Sequence, residues 1–89
     1  MNAPIAIRDL EDQIAMERAT LVRSAQHIVS GQLRLRRQCD LLSEMRVRKL
    51  DTRHAERLVQ VLQATLEQWE LHREMVGERL AYLEGQRRE

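Results

Sequence analysis

Leu42-Ser43-Glu44-Met45-Arg46-Val47-Arg48-Lys49-Leu50-Asp51-Thr52-Arg53-His54-Ala55 is the stretch whose reading decides the fold. Up to it runs a ladder of large aliphatics seven residues apart: Ile7, Ile14, Leu21, Ile28, Leu35 and Leu42. From it runs a second ladder: Ala55, Leu62, Trp69, Val76 and Leu83, with Val59, Leu66 and Leu80 interleaved. Seven residues are nearly two helical turns, so each ladder is one stripe along an α-helix. Leu42 and Ala55 are thirteen residues apart, one short of two heptads. At about 100° per residue, that missing residue swings the second stripe further than a supercoil adjustment absorbs. A single unbroken helix therefore cannot turn both stripes toward one partner. Two helices joined by a turn can.

The turn carries its own signals. Asp51 and Thr52 are both good N-cap residues, and Leu50 stands where it could staple against Ala55 if Asp51 is the cap. The reading is a single helical-hairpin domain over residues 1–89, with helix 1 at about 5–48, a turn at about 48–51 and helix 2 at about 52–84. Pro4 suits a helix start, and Asp9, Glu11 and Asp12 suit the positive end of the helix dipole. Gly85 stands just past the last rung, where a helix-ending glycine is expected. Val22, Ala25, Val29 and Cys39 are read as widening the first stripe.

An antiparallel hairpin turning near residue 50 pairs positions whose numbers add to about 100. That sets Leu21 against Leu80, Leu35 against Leu66, and Gly31 against Trp69, where the missing side chain makes room for the indole. Helix 1 outruns helix 2 on this reading, so its first rungs overhang.

Composition agrees with long helices packed through aliphatic seams. Of 89 residues, a third are charged, and there is one Pro, one Trp, one Tyr and no Phe. Such a chain encloses no wide core, and two helices alone are marginal; oligomerisation is the usual remedy. The single Cys39 permits no internal disulfide, and no apolar run is long enough to span a bilayer, so the expectation is a soluble cytoplasmic protein without a membrane partner. The net charge of +1 is unevenly spread, with residues 31–57 at +4 and the flanking segments at −1 and −2.

Several clusters bear groups that could carry chemistry. Arg46, Arg48, Lys49, Arg53 and Arg57 crowd the turn with His54 and form a basic patch that phosphates or an acidic partner could meet. Asp40, Glu44, Asp51 and Glu56 interleave with them, and no aromatics stand ready to stack on bases. His27 and His72 fall near one another in the hairpin register, but zinc takes three or four protein ligands and Cys39 lies three turns away from His27. Cys39 lies on the stripe, as a small buried hydrophobe does. Arg73, Arg18 and Gln32 interrupt the seams, either fixing register or laying their stems along it. Glu67, Glu70, Glu74 and Glu78 form an acidic ridge that Arg73 and Arg79 are placed to pair with. No nucleophile–base pair, metal signature or phosphate-cradling loop is present, so neither an enzyme nor a cofactor is expected.

The runs Ala25-Gln26-His27-Ile28-Val29, Arg36-Arg37-Gln38, Asp51-Thr52 and Leu71-His72-Arg73, with Gln32, resemble small uncharacterised helical-hairpin proteins of alphaproteobacteria over roughly residues 18–83. The resemblance implies the hairpin and no activity. This chain lacks the glycine such proteins carry before Asp-Thr.

The function expected from the sequence is a non-enzymatic protein–protein interaction module that self-associates, most simply as a dimeric four-helix bundle or coiled coil. Ile7, Ile14, Leu21, Ile28, Trp69, Val76 and Leu80 are the expected oligomer interface. The alternative is a nucleic-acid-binding accessory protein that uses the basic turn.

Overall fold

A computed structural model describes residues 7–88, with two α-helices: α1 at Ile7–Val47 and α2 at Arg53–Arg88. The expected start near Pro4 and Ile5 lies outside the described residues, as does Glu89. The helices pack antiparallel into a rod of 64 × 23 × 14 Å. Its radius of gyration is 19.9 Å, against about 12 Å for a compact chain of this length.

The turn forms because the end of α1 closes on itself. Leu50 N–H donates to the Met45 carbonyl (3.0 Å) and Lys49 N–H to that of Arg46 (3.1 Å). This is the Schellman arrangement, which satisfies carbonyls that the helix end leaves free. It requires a left-handed residue, and Lys49 supplies it with φ 57° where glycine is the usual occupant. Lys49→Gly is therefore expected to raise the urea unfolding free energy by about 0.5–1 kcal/mol, since relief of the side chain's strain outweighs glycine's greater freedom when unfolded.

At the start of α2, Asp51 supplies the capping side chain and Thr52 the first helical carbonyl, the Thr52 hydroxyl donating to Glu56 Oε1. Asp51 Oδ1 accepts the Arg53 N–H (3.1 Å), while the Thr52 carbonyl accepts the first helical bond, from Glu56 N–H (2.8 Å). Leu50 stays 52% exposed and is absent from the cluster around Ala55, so the expected staple is not made.

Both ladders face inward. Ile14, Ile28 and Leu42 are buried on α1, with Leu21 and Leu35 half-buried; Ala55, Val76 and Leu83 are buried on α2, with Val59 and Leu66 beside them. At the turn end, Leu42, Ala55 and Val59 cluster with Leu35, Cys39 and Met45; at the open end, Leu10, Ile14 and Leu83 cluster with Leu80. Gly31 meets Leu66 and Trp69 as the register predicts: a Cβ there would lie 2.7 Å from Leu66 Cδ2 and 3.0 Å from Trp69 Cζ3.

Three expectations are corrected. α2 runs through Gly85 to Arg88, so although α1 is still the longer at 41 residues against 36, Leu10 and Ile14 pack on Leu83 and do not overhang. A mid-helix glycine costs about 1 kcal/mol, which the Leu83 packing and cross-helix ion pairs of Glu84 and Arg87 readily offset. The second seam position of α1 is the one three residues after each rung (Leu10, Glu17, Ser24, Gly31, Gln38 and Met45), all buried or half-buried. Val22 and Val29 remain 58% and 56% exposed and do not widen the stripe, whereas Ala25 and Cys39 are half-buried at its edge.

Candidate interaction surface

The hairpin is a flat plate two helices wide, and its two broad faces differ. On one lie the α1 residues one and four after each rung, the exposed Val22 and Val29 among them, with the α2 residues one after it. This face is laced with charge. Arg46 pairs with Glu56 (3.2 Å), Arg18 with Glu84 (3.0 Å) and Glu11 with Arg87 (3.5 Å), each across the two helices. Glu70 adds another carboxylate on the α2 side.

On the opposite face lie the residues just before each rung, with the α2 residues three after it. From α1 these are Gln13, Thr20, His27, Arg34 and Leu41; from α2 they are Val61, Gln68, Met75 and Tyr82, then Leu58, Thr65, His72, Arg79 and Gln86. The α2 side of this face carries one charged residue, Arg79, whose Nε reaches Glu17 Oε1 at 3.1 Å, while the outer row of its α1 side adds Asp9, Met16, Arg23, Ser30, Arg37 and Glu44 to Arg34. Six large apolar side chains are exposed along it: Leu41 (46%), Leu58 (37%), Val61 (55%), Trp69 (36%), Met75 (61%) and Tyr82 (66%). Its hydroxyls bond locally, and Thr20 Oγ1 accepts from Arg23 Nη2 (3.2 Å). Thr20 Oγ1 donates to the Met16 carbonyl (3.0 Å) and Thr65 Oγ1 to that of Val61 (2.8 Å), while Gln86 Nε2 donates to Tyr82 Oη (2.7 Å).

The middle of this face is a cleft of about 240 Å³ lined by Ser24, His27, Trp69 and His72. Its origin is the narrow waist of the seam, where Ser24 and Gly31 supply no bulk and Trp69 lies across the gap. The His27 and Trp69 rings stand 5.9 Å apart and tilted by 58°. The cleft brings His27 and His72 together as the register predicts. No group of three or more His, Cys, Asp or Glu able to hold a metal occurs among the described residues.

The expected interface residues are mostly consumed by the hairpin itself. Ile14, Ile28 and Val76 are buried against the other helix, and Leu21 and Leu80 are half-buried, so these rungs are not free for another chain. The Ile7 side chain lies outside the described residues. Trp69 alone of the seven combines a seam position with an exposed edge. Leu41, Leu58, Val61, Met75 and Tyr82 were missed; their signal was a seven-residue repeat one position ahead of the ladder, with almost no charge in it.

The basic turn is more neutral than its composition suggests. Arg46 pairs with Glu56, Arg48 with Glu44 (3.1 Å), and Arg53 forms a two-pronged contact with Asp51 at 3.1 and 2.8 Å. Lys49 and Arg57 have no ion pair of this kind among the described residues, and Arg57 lines a shallow dip with Arg53 and His54. The Arg53 guanidinium, and then its backbone N–H, lower the Asp51 pKa below the ordinary carboxylate value. A lowered carboxyl pKa adds stability above the unfolded-state value and loses it as pH falls through the folded one. The cap is therefore expected intact at neutral pH and released in acid, with Asp51→Asn flattening that part of the stability–pH curve.

The acidic ridge of Glu67, Glu70, Glu74 and Glu78 is exposed. Arg79 reaches across to Glu17 rather than joining the ridge. Among the described residues no helix is long and apolar enough to cross a membrane. Comparison with protein-family models, curated proteins and solved structures found no match, so the likeness to alphaproteobacterial hairpin proteins rests on its short motifs.

Proposed function

We propose that this chain is a non-enzymatic self-association module, a helical hairpin that completes its core by packing on a second copy as a four-helix bundle. The observation that carries this is the apolar row of Leu58, Val61, Trp69, Met75 and Tyr82 along one face of α2, where Arg79 is the one charged residue. A hairpin built to act alone places polar residues there, because that face meets water along its whole length. The chain also exposes 7443 Å² in total, well above the roughly 5,400 Å² expected for a compact monomer of its mass. Arg46, Arg48 and Arg53 each pair with a carboxylate, which leaves Lys49 and Arg57 as the unpaired cations of the turn among the described residues and favours self-association over nucleic-acid binding.

Sedimentation equilibrium at micromolar concentration tests the proposal. A mass of twice the 10.5 kDa chain is expected, and a strictly monomeric mass overturns it. Salt-sensitive nucleic-acid binding that is lost on charge reversal at Arg46, Arg48 and Arg53 would instead place the function at the turn.

A further inference from the structure

The exposed apolar row of α2 also fixes how a second copy sits, and this inference rests on the self-association proposed above. We infer that two hairpins stack through this face with their turns at opposite ends, related by a two-fold axis through the cleft of His27, Trp69 and His72.

Three observations lead there. The first is position. The cleft lies midway along both helices: residue 27 is the midpoint of Ile7–Val47, and Trp69 and His72 bracket the midpoint of Arg53–Arg88. Full overlap of two antiparallel rods puts the axis at their common centre, so the two clefts meet there.

The second is charge. The turn half of the rod, residues 27–70, carries eight basic and six acidic groups, net +2, and the rest of the chain carries −1. Stacking with turns at one end sets two positive regions together. Stacking with turns at opposite ends sets each against the partner's negative region, the arrangement electrostatic complementarity favours.

The third is area and fit. The face measures about 64 by 23 Å, and a stable interface takes about 800 Å² from each partner, so contact over roughly half of it suffices. With the axis between residues 71 and 72 of α2, Val61 of one copy meets Tyr82 of the other and Gln68 meets Met75. A large exposed side chain thereby falls opposite a smaller or flexible one. The indole edge of Trp69, an aromatic anchor of the kind that dominates interfaces, is covered at the centre.

The experiment uses the full chain in a Cys39→Ala background. Mass is measured for this protein and for Val61→Glu, Met75→Glu and Val29→Glu, and spin labels on Lys49→Cys report the turn-to-turn distance. Val61, Met75 and Val29 are all exposed in the hairpin, so helicity by circular dichroism should be unchanged in each variant. The expected result is a dimer, weakened at least a hundredfold by Val61→Glu or Met75→Glu and unaffected by Val29→Glu, with turns about 60 Å apart. A dimer that survives Met75→Glu and fails with Val29→Glu overturns the choice of face. Turns within about 25 Å, the span of two packed helix layers, overturn the orientation. A monomeric parent overturns the self-association reading itself.

Discussion

Ile14→Ala is expected to lower the unfolding free energy by about 2–4 kcal/mol, the range for deleting a well-buried aliphatic side chain. Ile14 is the most enclosed side chain of the hairpin at 1% exposure, and it packs with Leu10, Leu83 and Leu80. Its cluster holds the open end, where no turn joins the helices. The surrounding side chains hang from two separate helices with few neighbours behind them, so collapse into the cavity recovers only part of the loss. Domains of this size are stable by only some 5–15 kcal/mol in total, so the effect is large. Urea unfolding followed by circular dichroism measures it as a shift in midpoint at constant slope. A loss below about 0.5 kcal/mol would mean that Ile14 behaves as a surface residue, as an overhanging helix end would require.

Gly31→Leu is expected to destabilise by about 3 kcal/mol, the upper end of what overpacking does. Already the first carbon of a side chain would stand 2.7 Å from Leu66 Cδ2 and 3.0 Å from the Trp69 ring. Leu66 is itself buried and cannot swing freely away. Gly31→Ala sets a helix-propensity gain of about 1 kcal/mol against that clash, and a small net loss is expected. Gly77→Ala is the control. A Cβ there meets nothing within 4 Å, so the propensity gain of about 1 kcal/mol stands alone and the protein should become more stable. The same chemical change with opposite signs at the two glycines separates packing from backbone propensity. Equal gains at both would refute the close helix approach at Gly31.

These two sites also mark where the sequence was legible and where it was not. The hairpin follows from the thirteen-residue step between Leu42 and Ala55, because helical phase is a geometric property that a single missing residue destroys. The Gly31–Trp69 pairing follows from the position of the turn alone. The extent of α2 does not follow. Gly85 resembles a stop signal, and only the Arg18–Glu84 and Glu11–Arg87 contacts, made between residues distant in sequence, show why the helix continues. The apolar face was hidden for a related reason. On α1 the second seam position is filled partly by Glu17, Ser24, Gly31 and Gln38, which carry no hydrophobic signal. Widening the stripe through Val22, Ala25, Val29 and Cys39 turns α1 toward one flank, and the exposed Val22 and Val29 show that this rotation is wrong. An error of rotation of this kind leaves the fold intact and moves the exposed apolar face.

The central claim is that one hairpin is half of an assembly, and the concentration dependence of thermal unfolding tests it most directly. Where folding is coupled to association, mass action raises the melting temperature with protein concentration. Across a hundredfold range, from about 1 to 100 μM, a steady rise of several degrees is predicted for the parent chain, and none for a monomerised Met75→Glu variant. A melting temperature that does not move with concentration in the parent chain would contradict the account.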